Sequence, residues 1–138
     1  MKPSLKAGLK HRLTFRVTEG KTVPALYPES PGFVAMPKVF ATGYMVGLME
    51  WACIDLLAPH LDEGEGSLGI HVDFSHTAAT PPGLLVTVDA ECTGVEGRKA
   101  DFFVRAHDGV DQIGEGRHRR AIVAWDKFNA RVAEKVKH

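Results

Sequence analysis

Apolar residues at Leu9, Leu13, Phe15 and Val17, with His11 and Arg16 between them, recur with a period close to two and predict an opening strand. The pattern then breaks. Pro24, Pro28, Pro31 and Pro37 fall between Lys21 and Lys38, and at that density neither a long helix nor a central strand can form. Val23, Leu26, Tyr27, Phe33, Val34 and Met36 make the same stretch too apolar for a solvated linker, so a lid or binding element is expected. Ala41 to Ala58 is apolar on nearly every side, carries only Glu50 and Asp55 as charges and is closed by Pro59, which predicts a fully buried helix. After a polar turn at Asp62-Glu63-Gly64-Glu65-Gly66, strands are expected at about Leu68 to His76, Leu84 to Thr93, Lys99 to His107 and Gln112 to Trp125. The turns between them are short, so the neighbours must be antiparallel. A final amphipathic helix, Trp125 to Val136, sets Trp125, Phe128, Val132 and Val136 on one stripe.

One strand, a long apolar helix and four antiparallel strands define an α+β fold in which a strongly curved sheet wraps the helix: a hotdog fold, here as a single domain over residues 1–138. A single curved sheet leaves an edge strand unpaired and part of the helix uncovered, so a homodimer is expected, joined edge to edge or helix to helix. Glu50, Asp55 and two glycines argue against the long helix as a membrane span.

Seventeen basic residues balance seventeen acidic ones, which gives no field to attract a polyanion, and nucleic acid is not an expected partner. Cys53 and Cys92 sit among apolar neighbours and fit a reducing, cytoplasmic setting; no secretory signal follows Met1. Gly64-Glu65-Gly66-Ser67-Leu68-Gly69 matches GxGxxG but leads from a helix into a strand, the reverse of a dinucleotide site, and reads as a turn. His71 and His76 fall on opposite faces of a strand, and the cysteines lack a zinc spacing, so no metal or cofactor is expected.

A carboxylate in a buried helix must be paired, protonated or used, which singles out Glu50; an ion pair with Arg105 or Arg120 is the structural alternative. His76 precedes a rigid Pro-Pro-Gly turn, and Thr42 opens the long helix, where it would otherwise serve as a cap. Hydroxyl, imidazole and carboxylate form the set used for acyl transfer to water. Thr42 and Glu50 are about 12 Å apart along one helix, so either His76 and substrate bridge them or a dimer brings them together from different chains. Arg117-His118-Arg119-Arg120 could meet the phosphates of a nucleotide-bearing substrate, with Arg117 and Arg119 on one face of a strand and His118 and Arg120 on the other.

Tyr27-Pro28-Glu29-Ser30-Pro31, Ala41-Thr42-Gly43 through Met45-Val46-Gly47-Leu48-Met49-Glu50-Trp51-Ala52, and His76-Thr77-Ala78-Ala79-Thr80-Pro81-Pro82-Gly83 together resemble the fluoroacetyl-CoA thioesterases. Similar runs at Val95-Glu96-Gly97-Arg98, Ala106 to Asp111 and Lys127 to Ala130 extend the likeness over nearly the whole length. The resemblance implies a homodimeric hotdog hydrolase of a short acyl-CoA, without metal or cofactor, whose catalytic residues match Thr42, Glu50 and His76. It further implies substrate contacts at Val23, Leu26, Phe33, Met36, Val39, Gly69 and Arg120. Fluoro-selective members carry an aromatic gate where this chain has Met36, a looser filler of space.

Overall fold

The computed structural model describes every residue from Met1 to His138. Strand β1 (Lys10–Arg16) is followed by two short helical turns, α1 (Val23–Leu26) and α2 (Pro31–Val34), and by the long helix α3 (Thr42–Leu57). Then come β2 (Glu65–Phe74), β3 (Leu85–Glu96), β4 (Lys99–His107), β5 (Gln112–Ala124) and a last helix, α4 (Trp125–Val136). The strands form one antiparallel sheet in the order β1-β3-β4-β5-β2 that wraps α3, the α+β hotdog architecture. No helix is long and apolar enough to cross a membrane.

The core follows from strand alternation. Val86, Val88, Ala90 and Cys92 of β3, and Ala100, Phe102, Val104 and Ala106 of β4, point inward at every second position. They bury against Met45, Leu48, Met49, Ala52, Cys53, Leu56 and Leu57 of α3. Burial pushes the Cys53 thiol up to about 12, so it packs as a small hydrophobe.

The apolar pattern of α3 predicts burial all round, but one flank stays open, as a single wrapping sheet implies: Trp51 and Ile54 are 45% and 43% exposed. The stripe of α4 packs only at its start, where Trp125 lies over Gly66 so closely that any side chain there would collide with the indole. Phe128 meets Trp125 edge-on at 5.8 Å, while Val132 and Val136 stand in solvent.

Strand β2 begins earlier than its apolar pattern suggests and carries a register shift, with Gly69 opposite Arg120 and His71 opposite Arg119. The extra residue, Ile70, inverts the alternation, so Gly69 faces inward before the shift and Phe74 faces inward after it. Beyond Phe74 the chain stays tied to β5, as Ser75 N–H donates to the Glu115 carbonyl at 2.8 Å and Thr77 N–H to the Ile113 carbonyl at 2.7 Å.

A second set of bonds joins three separate segments. Phe40 pairs with Thr22 in an isolated bridge, and its N–H donates to the Thr80 carbonyl at 2.8 Å. The buried Thr80 hydroxyl donates to Asp108 at 2.9 Å, and the other Asp108 oxygen accepts the N–H groups of Val110 and Asp111. Burial alone would raise the Asp108 carboxyl, but these bonds outweigh it and hold the group below its ordinary range. Thr80→Val leaves a buried carboxylate oxygen short of one donor and is expected to cost about 1–3 kcal/mol in urea denaturation. A depressed carboxyl stabilises above its unfolded value and loses that contribution as pH falls. The stability gap between wild type and Asp108→Asn should therefore be full at pH 7 and shrink below the ordinary value of 3.8.

Candidate active site

Thr42 is the first residue of α3, and His76 follows the end of β2. The β5 ties of Ser75 and Thr77 and the Phe40–Thr80 bond hold these two segments side by side. Thr42 Oγ1 and His76 Nδ1 are 2.7 Å apart. His76 Nε2 is shielded from solvent and has no hydrogen-bond partner. Burial lowers the pKa of this imidazole, opposed in part by the Ala78 backbone, so at neutral pH the ring is uncharged and one nitrogen has a free lone pair. The pair opens on a cavity of about 290 Å³ lined by Val23, Val39, Phe40, Thr42, His76 and the turn Thr77 to Ala79.

Such a pair can act in two ways. With the proton on Nδ1, the imidazole donates to Thr42 and offers Nε2 as a base; with the proton on Nε2, it accepts the Thr42 proton and activates that oxygen.

Glu50 lies two turns further along α3 in a different group. Its Oε1 accepts from Arg120 Nη1 at 3.1 Å and lies 3.9 Å from His118 Nε2. Arg120 is the structural ion-pair partner named from the sequence; Arg105 instead bonds Glu115. The Arg120 side chain is 4% exposed and that of Glu50 33%, so the cation is sealed while the carboxylate retains an outlet to solvent. Arg120 Nε and Nη2 donate to the hydroxyl and carbonyl of Ser67 at 2.8 and 3.0 Å. Gly69 completes the group, since a Cβ there would lie 2.6 Å from Glu50 Oε1.

The other expected contacts distribute unevenly. Leu26 rests on Gly43 at the start of α3, where an added Cβ would meet it at 3.2 Å. Phe33 meets Tyr27 in a tilted pair at 5.5 Å and Met36 is 54% exposed; neither lines the cavity within one chain. Arg119 faces outward and forks onto Asp101 at 2.7 and 3.0 Å. A larger hollow of about 530 Å³ on the outer sheet face has its cations paired: Arg12 with Asp89, Lys10 with Glu91 and Arg105 with Glu115. No three His, Cys, Asp or Glu side chains converge as a metal site would require.

Ser67 is not singled out by the sequence, and His118 is named only within the Arg117–Arg120 run, not as the acceptor that holds Arg120. The available signal was the run His118, Arg120, Ile122, in which two polar residues share an inward strand face with a core isoleucine. Gly69→Ala should force Glu50 off Arg120, visible as a lengthened Glu50–Arg120 contact in a crystal structure and as a lower melting temperature. Gly94→Ala, where nothing lies within 4 Å of the added carbon, is the control and should leave both unchanged.

The sequence signature of the fluoroacetyl-CoA-specific thioesterases (FlK) matches residues 17–126. The fluoroacetyl-CoA thioesterase of Streptantibioticus cattleyicolor is 56% identical over 136 residues, covering 99% of this chain and 98% of that protein. A solved threonine-to-alanine variant of the fluoroacetyl-CoA thioesterase, in complex with fluoroacetate, superposes with a TM-score of 0.93 at 56% identity, covering 95% of this chain and 98% of the other. A Thermus thermophilus protein described as a thioesterase superfamily member superposes with a TM-score of 0.86 at 31% identity, over 99% and 98% of the two chains. The chain belongs to the family of fluoroacetyl-CoA-specific thioesterases.

Proposed function

We propose that this chain hydrolyses fluoroacetyl-CoA to fluoroacetate and CoA, with Thr42, His76 and Glu50 as catalytic residues. The observation that carries the reading is the Thr42–His76 hydrogen bond in the lining of an open cavity, in a chain of this family. The neutral, unpartnered Nε2 of His76 suits it as a base. Taking a proton from the α-carbon would form an enolate; expulsion of the CoA thiolate then leaves a ketene-like species that water hydrates. Fluorine acidifies that proton, so this route discriminates by chemistry where size could not. Hydrolysis in deuterated water would place one solvent deuterium on the α-carbon of the product by this route. An acyl-enzyme on Thr42 would place none.

His76→Ala should lower kcat/KM for fluoroacetyl-CoA by about 100-fold or more. Because burial lowers the pKa of His76, the acid limb of the wild-type pH profile should fall below the ordinary value of 6.5. Met36 favours a second reading, a short-chain acyl-CoA thioesterase of weaker fluorine preference, since a thioether seals a lid less firmly than an aromatic ring. The kcat/KM ratio for fluoroacetyl-CoA over acetyl-CoA decides between them. It should exceed one and rise in Met36→Phe; a ratio of one in both proteins would leave only the broader activity.

We place the working unit as a homodimer in the cytoplasm. The free, buried Cys53 and Cys92 suit a reducing compartment. The unpaired outer edge of β2, with Ile70 and Val72 exposed, and the open flank of α3 at Trp51 and Ile54 suit a second copy. The axial distance between Thr42 and Glu50, about 12 Å, suits a site shared between chains. Mixing Glu50→Gln with His76→Ala protein under subunit exchange should then restore about a quarter of wild-type activity, because each mixed dimer regains one intact site. A site built from one chain would recover nothing.

A further inference from the structure

We infer that His118 is a positioning residue for this hydrolysis, holding Arg120, and through it Glu50, in one orientation. Only the kinetic part of the test below rests on the function proposed above.

His118 is 1% exposed and lies between the rings of Phe74 and Phe102, at centroid distances of 5.9 and 6.3 Å. A phenylalanine would fill that slot without burying polar atoms. The imidazole adds one hydrogen bond at each nitrogen. Nδ1 lies 2.7 Å from the His71 carbonyl oxygen, which can only accept, so Nδ1 carries the proton. In the neutral ring Nε2 then holds the lone pair, and it accepts from Arg120 Nη1 at 3.0 Å. The environment favours that state: burial disfavours the imidazolium, and Arg120 opposes a second cation, against the His71 carbonyl and Glu50, which favour it.

The consequence falls on the guanidinium. Nη1 has two hydrogens; one is taken by His118 and the other is left for Glu50, while Nε and Nη2 are held by Ser67. Remove the His118 acceptor and the Nη1 fork loses one of its two fixed directions. Glu50 is partly exposed and has no side-chain hydrogen-bond donor other than Arg120, so its place depends on that fork. The His71 carbonyl that anchors the ring sits at the β2 register shift, which links the irregularity in the strand to the carboxylate.

Three variants separate positioning from packing. His118→Phe keeps the filled slot and loses both bonds. His118→Asn can still donate to the His71 carbonyl but is too short to reach Arg120. His118→Gln can place its Oε1 where Nε2 accepted. Phe and Asn should each lower kcat for fluoroacetyl-CoA by about 10-fold or more, as displacement of a catalytic group does, with KM within about 3-fold of wild type. Gln should recover most of the kcat. Full kcat in the Phe variant, equal losses in Gln and Asn, or losses confined to KM would overturn the inference. If the wild-type chain turns over no CoA ester, the function reading fails on its own, and histidine-selective 15N NMR still decides the present one. A protonated Nδ1 and an unprotonated, hydrogen-bonded Nε2 at pH 7 support it, together with Arg120 Nη1 protons protected in wild type and Gln but not in Phe or Asn. A protonated Nε2 in the wild type sinks it.

Discussion

A guanidinium almost without access to water fixes much of this molecule. Arg120 sits on an inward strand position that an aliphatic side chain would ordinarily fill, and a cation there is tolerable only if its donors are met. That single demand accounts for Ser67 on the neighbouring strand, for the uncharged His118 one position removed on the same face, and for Glu50 on the helix opposite. It also accounts for Gly69, because the carboxylate that meets the cation occupies the space where a side chain would begin. The carboxylate looks expensive when read from the helix alone; beside its partner it is the compensating charge.

The architecture was legible because its signals are local. Alternation located β1, β3, β4 and β5 to within a few residues, and proline density set the limits of the stretch holding α1 and α2. The start of β2 was less legible, since Glu65, Gly66 and Ser67 carry no apolar period; they are strand because β5 pairs with them. Of the site, the meeting of Thr42 with His76 was anticipated from residue types and resemblance. The His118 link was not, because it needs the tautomer fixed by a carbonyl on another strand. Nor could the sequence show that Phe33 and Met36 stand away from the cavity, which depends on how α1 and α2 settle against α3.

Phe40 and its neighbours connect the parts that surround the cavity. Val23 N–H donates to the Val39 carbonyl, Ala41 N–H to the Lys21 carbonyl and Phe40 N–H to the Thr80 carbonyl, so one short extended segment ties the base of the proline-rich stretch to the His76 loop. Farther out, the hydrogen bonds of that stretch stay within it, as in the Ser30 cap on Phe33 and the Val34 N–H donating to the Ser30 carbonyl. The segments facing the Thr42 hydroxyl are thus tied to their neighbours by backbone hydrogen bonds.

The irregularity in β2 bears on solubility as much as on geometry. A straight, regular sheet margin invites any extended peptide to add on, the first step toward insoluble fibres. Here the margin is interrupted at Ile70, so a foreign strand finds its ladder out of phase halfway along. The opposite margin, β1, turns Lys10, Arg12 and Arg16 outward and discourages the same encounter by charge. Both sheet borders thus carry a device that selects against indiscriminate strand addition, while the β2 border can still accept a partner whose register matches its own.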